Sequence, residues 1–349
     1  MAESPSVALL HKNKDGDKTM QEAPIRALRA SAVALVFASA TPLLLTGCEA
    51  PLNLEAVRSI ENQPTNRTDF YQAMASNRDT IVVAGNDGVL LTSSDQGKSW
   101  KRHPEITANS FLSITSCPDQ SFIALSFDNN LWHGDASAQN WVKNALPSQE
   151  QMMTVACSPD GKWVTAGSFT TVQHSADQGE SWSEASLYED AIINNLQFIN
   201  QDQAIATGEY GLVLKSEDGG ENWDIAGNAP DEFYIHTSYF KDADNGWIGG
   251  LNGFIYQTND GGQNWEQMST ATNAPIFGFI AGDTSLYALA DNATVLQLQQ
   301  DTWNKISESE QPLYLRAGLA LPDQRLLVAG GRGLLFDIKP QTALAASTD

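Results

Sequence analysis

The chain has 349 residues, 20 basic against 42 acidic, giving a net charge of −22, with 42% apolar residues and three cysteines. So acidic a surface repels nucleic acid and anionic headgroups, which excludes nucleic-acid binding. Three cysteines are too few for a disulfide-built scaffold, and the length allows a core held by apolar burial alone.

Residues 1–47 read as an export signal with an upstream extension. Arg26 and Arg29 precede the apolar run Ala30 to Leu45, which ends in Leu45-Thr46-Gly47-Cys48. Basic residues, an apolar stretch of that length and a small residue before the break are the marks of a secretory signal. The stretch is too short and too rich in Ala and Ser for a transmembrane helix. Leu-Thr-Gly-Cys also resembles the bacterial lipobox, whose cysteine is lipidated and becomes the first residue. Residues 1–19 are polar and mixed in charge, and a start at Met20 would give a signal of ordinary length. The expected mature chain is 48–349, a single domain tethered to a membrane through Cys48. Removing the leader's five basic and four acidic residues leaves 15 against 38.

From there the chain is periodic. Trp100, Trp141, Trp182, Trp223, Trp265 and Trp303 stand 41, 41, 41, 42 and 38 residues apart. Four of them end one octad: Ser93-Ser-Asp95-Gln-Gly97-Lys-Ser-Trp100, and its counterparts through Asp177 and Trp182, Asp218 and Trp223, and Asp260 and Trp265. A glycine doublet of spacing three lies upstream of three of them, at Gly85/Gly88, Gly208/Gly211 and Gly250/Gly253, and recurs at Gly330/Gly333, with Gly167 keeping half of it. Each unit reads as four short strands. In the fifth, Ile235–Phe240, Trp247–Gly249 and Phe254–Thr258 are apolar runs separated by turn residues, and the octad leads into a fourth. Short β-rich runs at a period near 41 predict propeller blades, since solenoids of similar period need helices. The octad's aspartate can accept backbone N–H bonds in its own turn, its glycine supplies a positive φ, and its tryptophan buries a large surface. These octads resemble Asp-box (BNR) repeats and are expected to be structural. Before Trp141 the aspartate is displaced to Asp135 and the glycine is missing. Before Trp303 both are missing.

Six tryptophans mark six blades. Tyr314–Lys339 adds three more strands, including Leu326–Ala329 and Leu334–Ile338, without a following Trp. The expected fold is an all-β, seven-bladed propeller with four-stranded blades, the last completed by the N-terminal segment around Leu54–Ile60. Such closure removes the exposed edges of a linear array.

Asp boxes also occur in sialidases and other glycoside hydrolases, so a carbohydrate-active hydrolase is the alternative reading. Sialidase chemistry needs arginines drawn from several blades, but the seven in the mature chain are Arg58, Arg67, Arg78, Arg102, Arg316, Arg325 and Arg332, none between 103 and 315. A glycosidase needs only two carboxylates at a set separation. Asp160, Asp242, Asp244 and Asp323, however, stand in turn-forming contexts. The histidines are scattered singly, and phosphate-loop, dinucleotide and nucleophile-elbow motifs are absent, so no metal, cofactor or catalytic residue is expected. Cys117 and Cys157 fall near the ends of the first strands of adjacent blades; an oxidising compartment permits a bridge between them, and two buried thiols are the favoured state. The arginines cluster in the first and last repeats, which would be neighbours in a closed ring. There Arg316, Arg332, Arg58, Arg78 and Arg102 are the candidate partner-binding residues.

The phased pattern Gly-x-x-Gly, apolar strand, Thr/Ser-x-Asp-Gly-Gly-x-Asn-Trp, clearest at 208–223 and 250–265, resembles the photosystem II stability/assembly factor family. The resemblance covers the whole mature chain. It implies a non-enzymatic scaffold that holds membrane-protein subunits during assembly, through arginines on one face. The expected partner is a membrane protein or a subunit of an envelope complex, and the chain is expected to be a monomer. Glu49 in place of Asp after the lipidated cysteine favours the periplasmic face of an outer membrane. In a photosynthetic host the resemblance implies the thylakoid lumen.

Overall fold

The computed structural model describes residues 63–307 and 313–340. Cys48, Arg58 and the expected strand at Leu54–Ile60 lie outside the described residues. Within them the chain forms seven antiparallel sheets in succession, a seven-bladed propeller. Blade 1 is typical: Tyr71–Ser76, Ile81–Gly85, Leu90–Ser93 and Lys101–Arg102 pair in chain order from the innermost strand outward. The remaining innermost strands are Phe111–Ser116, Met152–Cys157, Ile193–Phe198, Ile235–Phe240, Ile276–Ala281 and Leu315–Ala320. Blade 6 carries a fifth, parallel strand, Ser269–Thr270, on its outer edge, and blade 7 has three described strands.

The second strand of every blade, such as Ala204–Gly208 or Leu326–Gly330, is buried along its whole length. A strand covered on both faces reads as a continuous run of Val, Ile, Leu and Ala rather than an alternation. Apolar faces of adjacent blades meet between the sheets, as where Val164 and Val172 of blade 3 cluster with Ala206, Leu214 and Trp223 of blade 4. The ring closes on itself: Tyr71, Val83 and Leu91 of blade 1 pack with Ala317 and Ala329 of blade 7. Three polar contacts stitch the same seam. The Gly333 amide donates to the Asp69 carbonyl at 2.8 Å, Gln72 Nε2 to the Tyr314 hydroxyl at 3.2 Å, and Arg325 Nη2 to the Gln96 carbonyl at 3.2 Å.

The octads behave as their chemistry dictates. In blade 4 the Ser216 hydroxyl donates to Asp218 Oδ1 at 2.9 Å and itself accepts the Gly220 amide at 2.9 Å. Asp218 also accepts the Asn222 amide at 2.9 Å and its side-chain Nδ2 at 2.7 Å. The Trp223 indole then donates to the Gly220 carbonyl at 3.1 Å. In blades 1, 3 and 5 hydrogen bonds from the loop hold Asp95, Asp177 and Asp260 down to about 2, with Ser99, Ser181 and Asn264 the foremost donors. The displaced aspartate of blade 2 reaches the same end: Asp135 accepts the Gln139 amide at 3.0 Å, Ala138 takes the glycine's place at φ 53°, and Trp141 donates to its carbonyl at 3.1 Å. In blade 6 the strands Val295–Gln299 and Thr302–Ser307 are instead joined by a tight turn, and the fully buried Trp303 donates to Met268 Sδ at 3.3 Å.

One expectation is corrected. Cys117 and Cys157 are joined by a disulfide, with Cα atoms 5.3 Å apart. Cys157 ends its innermost strand and Cys117 stands one residue beyond the end of the neighbouring one, where the ring is narrow, so their backbones come within bridging range.

Three outcomes follow for stability. Trp223→Ala is expected to lower unfolding free energy by roughly 3–5 kcal/mol, as core aromatic deletions do, and Asp218→Ala by about 1 kcal/mol through lost turn hydrogen bonds. The double replacement Cys117→Ser with Cys157→Ser should remove about 2–4 kcal/mol. Urea unfolding in matched buffers checks all three, and a Trp223→Ala protein as stable as the parent would refute the wedge role of the indole. Burial also lowers the pKa of His103 and of His174 from the ordinary 6.5. The native state therefore binds protons less readily than the unfolded chain, and stability falls as pH drops below about 6.5. Asp95, Asp177 and Asp260 remain ionised in that window. Melting temperatures between pH 7.5 and 5 should decline less in a His103→Gln, His174→Gln protein than in the parent.

Candidate functional site

Antiparallel order puts loops alternately at two ends of the ring. The turns between first and second strands and the Asp-box loops share one end, the box end. The Gly-x-x-Gly turns and the links between blades share the other, the glycine end. A Cβ at Gly208 would collide with the Ile192 carbonyl, and Gly211 sits at φ 72°, so the first glycine permits a close approach and the second a left-handed turn.

Five blades have that glycine, and Ser126 and Ala290 stand in its place in blades 2 and 6. Just inside this position, the pairing between the innermost and second strands slips by one residue, leaving a bulge at the second position of each innermost strand. The bulged residues are Gln72, Leu112, Met153, Asn194, His236, Phe277 and Arg316. All seven line a central channel with a volume of about 560 Å³. Bulges re-aim side chains in this way at functional sites.

Arg316 is the channel's cation. Solvent reaches it, yet protein surrounds it, and this desolvation lowers its pKa against the opposing influence of Tyr314 and Tyr234. Among the described residues no carboxylate lines the channel, and no described ion pair involves Arg316. His236 Nδ1 lies 3.2 Å from the Ile276 carbonyl, so it is the protonated nitrogen of a neutral ring. Burial, foremost, and Arg316 lower the pKa of His236, while the bond to Ile276 opposes them. Its ring stacks on Phe277 with centroids 5.4 Å apart and meets the edge of Tyr234 at 5.4 Å. Tyr314 continues the aromatic group, 6.1 Å from Phe277 and 6.4 Å from Phe70.

Around this mouth the glycine end exposes large apolar side chains among carboxylates such as Asp87, Asp128, Glu189 and Asp231. Of ten exposed large hydrophobic residues among the described residues, eight lie there: Phe70, Phe127, Phe169, Tyr188, Tyr210, Tyr234, Leu251 and Phe254. Only Val142 and Ile225 lie elsewhere, on outer strands. Phe169 and Tyr210 sit at the apices of their turns with φ of 53° and 55°, and Arg332 holds the matching position in blade 7 at 56°. Asn252 and Asn292 occupy it in blades 5 and 6. A bulky side chain in this left-handed conformation costs of order 1 kcal/mol that Asn largely avoids. Local stability alone would not place Phe, Tyr and Arg there.

The expected arginines separate. Arg332 is at the glycine end and Arg316 in the channel, while Arg78 belongs to a turn at the box end. Arg102 is committed to structure: it grips the buried Asp69 carboxylate with two bonds of 2.8 and 3.1 Å. Asp69 also accepts the hydroxyl of the fully buried Tyr71 at 3.0 Å, and burial together with that charge holds the phenol far above its ordinary range. Arg325, at the box end, is paired with Asp323 at 2.7 Å. The carboxylates assigned to turns serve as such: Asp242 accepts the Asn245 amide at 2.8 Å, and Asp160 the Ser158 hydroxyl. Among the described residues no three ligating side chains gather into a metal site. Sequence reading missed the bulge ring and the turn apices. Both stand at fixed offsets from the Gly-x-x-Gly doublets, the one signal that could have found them.

No family model matches the chain, and no curated protein matches it in sequence. Among solved structures, YCF48 bound to D1 peptide is similar with a TM-score of 0.66 and 17% identity, covering 79% of this chain and 92% of that one. YCF48 from Cyanidioschyzon merolae is similar with a TM-score of 0.63 and 16% identity, covering 80% of this chain and 97% of that one. The likeness at these identities is one of fold: the chain is built as the same kind of seven-bladed propeller as YCF48, the photosystem II assembly factor.

Proposed function

We propose that the chain is a non-enzymatic binding platform that holds a segment of a membrane protein on its glycine end, as an assembly or accessory factor. The observation that carries this reading is the gathering of eight of ten exposed large hydrophobic residues on one end of the ring. Apolar surface concentrated in this way marks interaction sites. Phe127, Phe169, Tyr210 and Leu251 occupy corresponding turns of four consecutive blades, and Arg332 stands at the matching turn of blade 7. Two likenesses support the reading: the repeats resemble photosystem II assembly factors, and one propeller of the same fold is bound to D1 peptide. Export and lipidation at Cys48 belong to the same proposal. They rest on the leader and the lipobox-like Leu45–Cys48, and the Cys117–Cys157 disulfide is in keeping with an oxidising compartment.

The test uses the strained turns. Phe169→Asn with Tyr210→Asn is expected to raise stability by roughly 0.5–1 kcal/mol through relief of the left-handed backbone. Capture of the partner from detergent-solubilised host membranes should fall roughly tenfold or more, as removal of interface aromatics does. Lys162→Glu with Lys215→Glu, away from that end, should leave capture intact. Equal loss from both pairs would refute the site. For the anchor, Cys48→Ala should move the protein from the membrane pellet to the soluble fraction, because stable anchoring needs the acyl chains.

A further inference from the structure

The channel mouth is chemically distinct from the aromatic rim around it. Its bulged residues differ around the ring. Arg316 comes from blade 7, whereas Leu112 and Met153, from blades 2 and 3, present apolar groups on the far side, and Phe277 flanks the arginine from blade 6. A guanidinium set among protein walls is stabilised when an anion shares the space, and carboxylates are bound by its planar fork. This chain has more than twice as many acidic as basic residues, yet among the described residues no carboxylate lines the channel. The acid-rich fold thus keeps an arginine in its central channel without giving it an internal counter-ion. The aromatic side chains beside it, Tyr234, Phe277 and Tyr314, leave the guanidinium as the one cationic group in the wall.

We propose that the channel mouth is a carboxylate-binding site, in which Arg316 holds the carboxylate and an apolar substituent lies against Leu112, Met153 and Phe277. The ligand class is an alkyl or aryl carboxylate. A peptide can supply that group from its chain terminus or from a Glu side chain. The aromatic rim is not needed for the site to bind a small carboxylate, so the two readings fail separately.

Calorimetry of the folded protein with 4-phenylbutyrate, and with its uncharged amide, tests the site. Saturable binding of the acid is expected, with the amide weaker by about tenfold or more, the scale of a lost charge-assisted bidentate contact. Arg316→Gln should abolish the preference for the acid. Because that change alters the channel wall, Gln72→Glu supplies a second test: it keeps Arg316 and offers it an internal counter-ion from the adjoining blade, and should weaken binding of the acid by about tenfold as well. Phe169→Asn with Tyr210→Asn should leave 4-phenylbutyrate binding unchanged, which separates this site from the rim. Short peptides with a free terminus, an amidated terminus, or an amidated terminus and an internal Glu identify which carboxylate source is accepted. No saturable binding of the acid by the parent protein, equal binding of acid and amide, or unchanged binding in both Arg316→Gln and Gln72→Glu would overturn the proposal.

Discussion

The close approach of backbone at the glycine end governs the rest of this propeller. In five blades the second strand finishes on a glycine, where the carbonyl preceding the innermost strand comes so near that a side chain has no room, as at Gly167, Gly208 and Gly330. The chain accommodates the contact by slipping one residue in register, and the slip turns the second residue of every innermost strand into the channel. Seven separate sequences thereby deliver seven different side chains to one level of one ring. The glycine that satisfies the backbone and the arginine that characterises the site are two ends of a single geometric cause.

The box end answers a different need. Four-stranded sheets twist, and their outer strands splay apart, leaving grooves between blades. Asp-box loops close the grooves, with the tryptophan as the wedge: Trp223 packs on Val164 and Val172 of the preceding blade, and Trp100 on Leu321 and Leu327 across the closing seam. Blade 2 shows that geometry, not residue identity, is conserved through the repeats, because Ala138 adopts the glycine's backbone conformation and Asp135 the aspartate's bonding from one residue away. Carboxylates held by three or four loop hydrogen bonds also explain why so acidic a chain tolerates its charge: in several blades the negative group is part of the turn.

The propeller, its blade number and the role of the octads were legible because tryptophan and glycine recur at fixed intervals. The sequence-level reading placed Arg316 and Arg332 among candidate residues, but from their nearness to one another along the chain and around the ring, not from their surroundings. It could not separate Arg78 from them, since the two ends of a blade alternate with each hairpin and adjacent residues can face opposite ends. The bulges changed no composition, since a one-residue slip in a six-residue strand alters none, and showed only as a fixed offset from the glycines. The disulfide was equally hidden: Cys117 and Cys157 are 40 residues apart, and only the narrow radius of the inner ring brings them together. The aromatic rim was missed because Phe169 and Tyr210 occupy turn positions where Asn or Gly would ordinarily be read as punctuation.

The Asp69–Arg102 pair also has a mechanical meaning. A pull along the chain from the N-terminal side reaches the described fold just before blade 1, where Asp69 is clamped by Arg102 of the outer strand, Tyr71 of the inner strand and the Gly333 amide of blade 7. Load entering there is shared at once across the full width of one blade and over the seam into the next, and is not concentrated on a single pair of strands. The bonds would be strained in shear across several directions together, the arrangement in which hydrogen-bonded elements resist detachment best. A propeller held by its first residues can then bear tension without its ring opening.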